Sequence, residues 1–292
     1  ALTRGELDYF GFVARRVFDA EGGFFGDELP PGDVDRVTKG PAWSDERSEE
    51  VPFSLRHADA LLTAGAIDLA RSFAMNEARN DQRAPATLLI ARRMAALGHP
   101  SAALDVARRA VARGALVETV ADIDMLYPRV FETEIRTAAG RYGVPTAVFT
   151  ALVREESHFR PDALSPVGAR GLAQLMPATA ADVQRRLDLD DVDLESIEDN
   201  LALGSYYLSY LADHIENPAI RLAAYNAGLG RGRRWERDFG DLPPLLQIES
   251  IPFTETRWYL RRLTVSIATY AWRGERIDPR VTFTNVFPGG EW

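Results

Sequence analysis

The stretch ALVREESHFRPDALSPVGARGLAQLMPATA (residues 151–180) sets two glutamates side by side at the end of a helical pattern. Pro145 suits a first helical turn, and the spacing predicts a helix over 144–158. At about 100° per residue, Val148, Phe149, Leu152 and Val153 form one apolar stripe. Glu156 follows Leu152 by one turn and falls near the centre of that stripe, whereas Glu155 falls about 90° away, at its margin. Arg154 lies on the opposite face. Helical phase therefore separates the pair: Glu156 is aimed inward, and Glu155 is expected in solvent. Burial disfavours the charged form of a carboxyl, so an inward Glu is a candidate proton donor near neutral pH. The plainer reading is a Glu in a structural hydrogen-bond network, or in a frayed last turn.

Three segments downstream bear on that choice. In SPVGARGLAQLMPATA (165–180), Ser165-Pro166 opens a turn and Gly168 and Gly171 allow special backbone angles. Gln174 interrupts an apolar run and needs partners if buried. This segment, 163–176, reads as turn-rich with a short β-hairpin. In LAAYNAGLGRG (222–232), a helix over 218–227 ends at Gly228, with Tyr225 and Asn226 in its last turn. The Gly-x-Gly-x-Gly that follows comes after a helix rather than a strand, which argues against a dinucleotide loop. A flat aromatic face beside an amide fits a sugar subsite better. In IPFTETRWYL (251–260), Thr254 is a candidate N-cap and Glu255 a favourable acidic first-turn residue. Further helices are expected over 129–141, 178–187, 199–216 and 254–272, with 275–292 extended.

Upstream, the texture is different. A helix is expected over 6–20, then a polar Gly/Pro/Asp-rich connection over 21–52. Alanine- and leucine-rich helices follow over 54–64, 66–79, 84–97 and 100–113, with turns at Gly65, Gly98 and Gly114. DLAR (68–71) echoes DVAR (105–108), which suggests stacked helical hairpins, an α-solenoid fragment, over an ordinary helical bundle. No cluster of reactive residues precedes residue 125. The expected division is a solenoid-like domain, 1–125, and a cleft-bearing domain, 126–292.

Composition narrows the function. The chain has 292 residues, 46% hydrophobic and 26% charged, with net charge −9 and pI about 5.1. An acidic surface argues against nucleic acid as a bulk partner. Absence of cysteine excludes disulfides, thiolate metal sites and thiol nucleophiles, and the four histidines show no metal spacing. No apolar run reaches the roughly 18 residues of a membrane span. Ala1 in place of Met suggests a processed or trimmed chain.

Together the segments resemble the catalytic domain of the soluble lytic transglycosylases of bacterial cell walls. The likeness rests on Glu156-Ser157, on Ser165-Pro166-Val167-Gly168-Ala169, and on Gly171-Leu172-Ala173-Gln174. Ala223 through Gly228, and Ile251-Pro252-Phe253 with Glu255-Thr256-Arg257, complete it. It spans about 126–272 and implies a mainly α fold: a lysozyme-like helical domain preceded by part of an α-superhelix. The family usually has Met where Ala173 stands, which would alter the pocket wall. The resemblance implies cleavage of the β-1,4 bond between N-acetylmuramic acid and N-acetylglucosamine without water, with no cofactor and no metal. Glu156 would be the acid and then the base; Ser165, Gln174, Met176, Tyr225 and Asn226 would line sugar subsites. Glu255 would contact substrate or secure a helix end. It also implies a periplasmic or cell-envelope location, with peptidoglycan strands and other cell-wall enzymes as partners. Hydrolysis on the same fold, with Asp162 or Asp182 positioning water, and a non-catalytic binding scaffold are the competing readings.

Overall fold

The computed structural model describes residues 52–80, 82–115 and 120–275. The expected helix over 6–20, nearly all of the connection over 21–52 and nearly all of the extended 275–292 segment lie outside these residues. The chain divides into two compact units between Val130 and Phe131.

In the first unit, a 3-10 turn (Phe53–Leu55) leads into α1 (Arg56–Thr63), α2 (Ile67–Glu77), α3 (Ala84–Ala96), α4 (Pro100–Ala112) and α5 (Val120–Leu126). The first four fall where the alanine-rich periodicity places them, and α5 was not anticipated. Three of these helices, α1, α3 and α4, are followed by a glycine with positive φ: Gly65 (76°), Gly98 (82°) and Gly114 (101°). Buried alanines at 70, 74, 91, 103, 107 and 110 let the helices approach closely. The echoed DLAR and DVAR segments meet, since Arg71 pairs with Asp105 at 2.8 Å. Arg92 of α3 grips Asp122 of α5 through two bonds, 2.9 and 3.1 Å.

The second unit begins with α6 (Glu132–Arg141). It starts later than expected because Phe131 is left-handed, φ 53°, and stops the helix from extending back towards Pro128. Next come α7 (Thr146–Ser157), a turn segment, α8 (Pro177–Arg186) and α9 (Ile197–Ala212). They are followed by α10 (Pro218–Ala227), α11 (Leu229–Phe239), α12 (Pro244–Ser250) and α13 (Thr254–Glu275). Helix α7 packs lengthwise on α13 and also on α6, and α10 is clasped by α9, α11 and α13. Phe149, Leu152, Leu201, Leu203, Ile220, Leu263 and Ile267 form the core between them.

Two local expectations change. The 163–176 segment forms only isolated antiparallel bridges, Leu164–Arg170 and Arg170–Leu175, and not a regular hairpin. After Gly228 (φ 93°) the chain does not wander through a glycine loop; it re-enters a helix at once, with Gly230 and Gly232 inside α11. The reason is packing. A Cβ on Gly232 would lie 2.5 Å from the Ala224 Cβ and 2.6 Å from the Ile215 Cδ1. Glycine here permits a close helix crossing, not a ligand.

Candidate active site

The site is built where α7 ends. Helix α7 terminates through two consecutive left-handed residues, His158 (φ 52°) and Phe159 (φ 60°), and Phe159 is buried. Glu156 sits in the last turn before this stop. It keeps some exposure, so it is reachable from outside, yet its carboxyl is enclosed. Burial is the leading cause that pushes it from an ordinary value near 4.5 up to about 7. The Tyr259 hydroxyl opposes that rise, the Glu155 charge adds to it, and Arg262 opposes it. Ser157, the other half of the motif, is buried and its hydroxyl donates back to the Val153 carbonyl at 3.1 Å.

Tyr225 and Tyr259 face Glu156 from α10 and α13. Burial holds both phenols well above their usual range, with the Glu156 charge as the second cause. The Tyr225 hydroxyl donates to the Ala173 carbonyl at 2.9 Å and its ring lies against Tyr207, centroids 5.3 Å apart. The buried Tyr259 hydroxyl makes no bond of ordinary geometry among the described residues, which leaves it loosely directed at Glu156. Tyr259 was not singled out in the sequence; its only signal was its place one turn beyond Glu255.

The turn segment supplies the next wall. Ser165 closes its own turn: its hydroxyl accepts from the Ala169 N–H at 2.9 Å. Gln174 is left-handed, φ 47°, and its amide donates to the carbonyls of Ala163 (3.0 Å) and Gly171 (2.9 Å). Met176 is exposed at the N-terminus of α8. Asn200, also missed in the sequence, organises this wall from α9. Its Oδ1 accepts from the Ala173 N–H at 2.7 Å, and its Nδ2 donates to Arg170 (3.1 Å) and Leu194 (2.9 Å). Ala173, where the family usually has Met, lies in this wall. It is fully buried against Gly204, where a Cβ would come within 2.4 Å.

Asn226 is exposed, and its Oδ1 accepts from the Thr256 hydroxyl at 2.8 Å, tying α10 to the start of α13. Glu255 is exposed in the first turn of α13, on the same face as Tyr259. The sequence-based expectation for Glu155 is overturned. It is buried, as is Arg154, because α13 covers that side of α7 as well. Asp182 is engaged by Arg185 and Arg186, whose hydrogen bonds lower its carboxyl, and Asp162 is exposed. Among the described residues no group of His, Asp or Glu could hold a metal ion. No helix among them is long and apolar enough to cross a membrane.

The second unit is a helical, lysozyme-like domain in which burial raises the Glu156 carboxyl. Residues 133–246 match the family described as Transglycosylase SLT domain, and that match together with the relatives below supports a likeness to the soluble lytic transglycosylases. It is 39% identical over 126 residues to the soluble lytic murein transglycosylase of Salmonella typhimurium, covering 41% of this chain and 20% of that protein. The Escherichia coli K12 protein of the same name is 37% identical over 133 residues, 44% of this chain and 21% of its own length. The chain thus aligns with about a fifth of these relatives. The crystal structure of an inactive glutamate-to-glutamine mutant of the lytic transglycosylase Slt from Pseudomonas aeruginosa superposes with TM-score 0.70 at 28% identity. That match covers 94% of this chain and 43% of that one. The 70 kDa soluble lytic transglycosylase of Escherichia coli gives 0.68 at 23% identity over 97% of this chain and 44% of its own, a likeness of fold.

Proposed function

We propose that this chain is a peptidoglycan lytic transglycosylase that cleaves the β-1,4 bond between N-acetylmuramic acid and N-acetylglucosamine and leaves a 1,6-anhydromuramic acid end. The observation that carries the reading is Glu156: reachable from outside, yet held near pH 7 by burial. Such a group is protonated often enough to donate and ionised often enough to accept. In the forward step the Glu156 proton passes to the glycosidic oxygen, the C1–O bond breaks, and the N-acetylglucosamine end leaves as an alcohol. The substrate's 2-acetamido oxygen stabilises the electron-poor anomeric carbon, which replaces a second protein carboxylate. Glu156, now ionised, takes the proton of the muramic acid 6-hydroxyl as its oxygen bonds to C1. The proton returns to Glu156 and no water is consumed. An internal nucleophile gains from proximity when water is excluded.

Ser165, Gln174 and Met176 form one wall of the proposed sugar site. Tyr225 and Asn226 form the other, with Glu255 at the rim. Peptidoglycan strands as substrate, and a periplasmic or cell-envelope setting, follow from the same reading. The test is mass spectrometry of products from purified sacculi, for wild type and Glu156→Gln. The expected wild-type products lack the mass of one water relative to hydrolysis, and the variant releases none. Products carrying an added water would assign hydrolysis instead; a wild type that binds sacculi without cleaving them would assign a binding scaffold.

A further inference from the structure

Glu155 is a buried carboxylate beside the site that this reaction leaves idle. Its side chain is wholly sheltered from solvent. Oε1 accepts from Arg154 Nη1 and from the Ser266 hydroxyl at 2.8 Å, and Oε2 accepts from Arg262 Nε at 3.1 Å. Arg154 Nη1 also donates to Ser266 Oγ at 3.0 Å. Burying such a cluster is costly, and packed apolar side chains would hold two helices together at least as well. Stability alone therefore does not account for it.

Its location does. Glu155 and Glu156 are neighbours on α7. Tyr259, Arg262 and Ser266 recur at intervals of three and four residues, so they share one face of α13, the face turned to α7. Glu155 grips that face at Arg262 and Ser266, within two turns of Tyr259. We propose that Glu155 is a positioning residue for Glu156: its clamp on α13 sets the register that keeps Tyr259 opposite the acid and holds a carboxylate and its Arg262 partner beside it. The inference rests on Glu156 being the acid of the proposed reaction.

The charged and titratable groups around Glu156 are Glu155 on its own helix, Tyr225 from α10, and Tyr259 and Arg262 from α13. Glu155 and Arg262 act on Glu156 in opposite senses, the anion raising its carboxyl and the cation lowering it. They are also bonded to each other. This makes the idea separable from general damage. Removal of the anion lets Glu156 ionise at lower pH, while removal of the cation delays ionisation.

The test is the pH dependence of kcat/KM on solubilised glycan strands for the full chain, its Glu155→Gln and Arg262→Gln variants, and Glu156→Gln. Glu155→Gln keeps the length of the side chain and its Oε1 acceptor for Arg154 and Ser266, so Tyr259 stays in place and only the anion is lost. The alkaline midpoint is expected to fall by about half a pH unit or more there, and to rise by about the same in Arg262→Gln. Midpoints that coincide with wild type, or that move the same way, overturn the proposal. If Glu155→Gln does not fold, Arg262→Gln decides alone; Arg262 is 46% exposed and its replacement leaves Arg154 and Ser266 on Glu155. If Glu156→Gln retains full rate, the catalytic reading itself fails. If Glu156→Gln is inactive and the other two midpoints stay put, only the role of Glu155 falls.

Discussion

The Asn200 side chain on α9 accepts the Ala173 N–H at 2.7 Å and, with its amide, holds the carbonyls of Arg170 and Leu194. One buried side chain thus satisfies three backbone groups of the turn segment and the loop beside it. The fit is close: a Cβ on Gly171 would meet the Asn200 Nδ2 at 2.1 Å. Replacement by Ala strands the buried Ala173 N–H and takes a donor from the Leu194 carbonyl, while the Arg170 carbonyl keeps the Leu175 N–H. Asn200→Ala should lower stability by about 2–4 kcal/mol in urea unfolding. It should also reduce turnover of the folded fraction, because Gln174 rides on the freed turn.

Activity should follow the Glu156 proton. The acid form is required first, so kcat/KM should decline as pH rises through about 7. A rate–pH profile flat from pH 5 to 9, to about a factor of two, would contradict the assignment.

The same shift has a stability consequence. A carboxyl whose value is raised in the folded state binds its proton more tightly than the unfolded chain does. Its contribution is therefore full below about 4.5 and is lost as pH rises through about 7. Glu156→Gln carries no such charge. The variant should be more stable than wild type above pH 7, by on the order of 2–3 kcal/mol, with the gap closing towards pH 4.5. Paired thermal or urea melts across that range measure it.

Tyr259→Phe removes the hydroxyl that partly restrains the rise of Glu156. The alkaline midpoint of kcat/KM should move up, by roughly half a unit to one unit. The maximal rate should fall, since the ionised form that accepts the 6-hydroxyl proton loses a donor. A midpoint that moves down would place Tyr259 outside the site.

Two glycines of α11 should respond with opposite signs. A Cβ at Gly230 meets open space, so Gly230→Ala should stabilise by about 0.5 kcal/mol through the unfolded chain. Gly232→Ala gains the same preference but drives a methyl into Ala224, on the packed face of α10. Overpacking wins there, for a net loss of about 1–2 kcal/mol. Denaturation midpoints of the two variants decide it.

Periodicity and punctuation were enough for much of this molecule. Alternating alanine-rich runs and glycine stops located α1 to α4, and Asn217-Pro218 with Gly228 bounded α10 to the residue. These are local signals, carried by backbone propensities that act within a few positions. Where two local signals conflicted, packing decided. Glycines at 230 and 232 read as a loop because glycine weakens a helix. Both sit in α11; at 232 Ala224 and Ile215 leave no room for a Cβ, whereas at 230 there is open space.

The two glutamates divide in the same way. Their difference in direction was set by the sequence itself, since neighbours on a helix point about 100° apart, and Glu156 shared the phase of Phe149 and Leu152. Phase does not say how many sides of a helix are covered. Only the packing of α13 and its neighbours around α7 buried Arg154 and Glu155 as well. Only that packing brought Tyr259 and Ser266, more than a hundred positions along the chain, against the pair. The proton affinity of Glu156 is therefore a tertiary property, because desolvation and nearby charge depend on what surrounds a carboxyl in space.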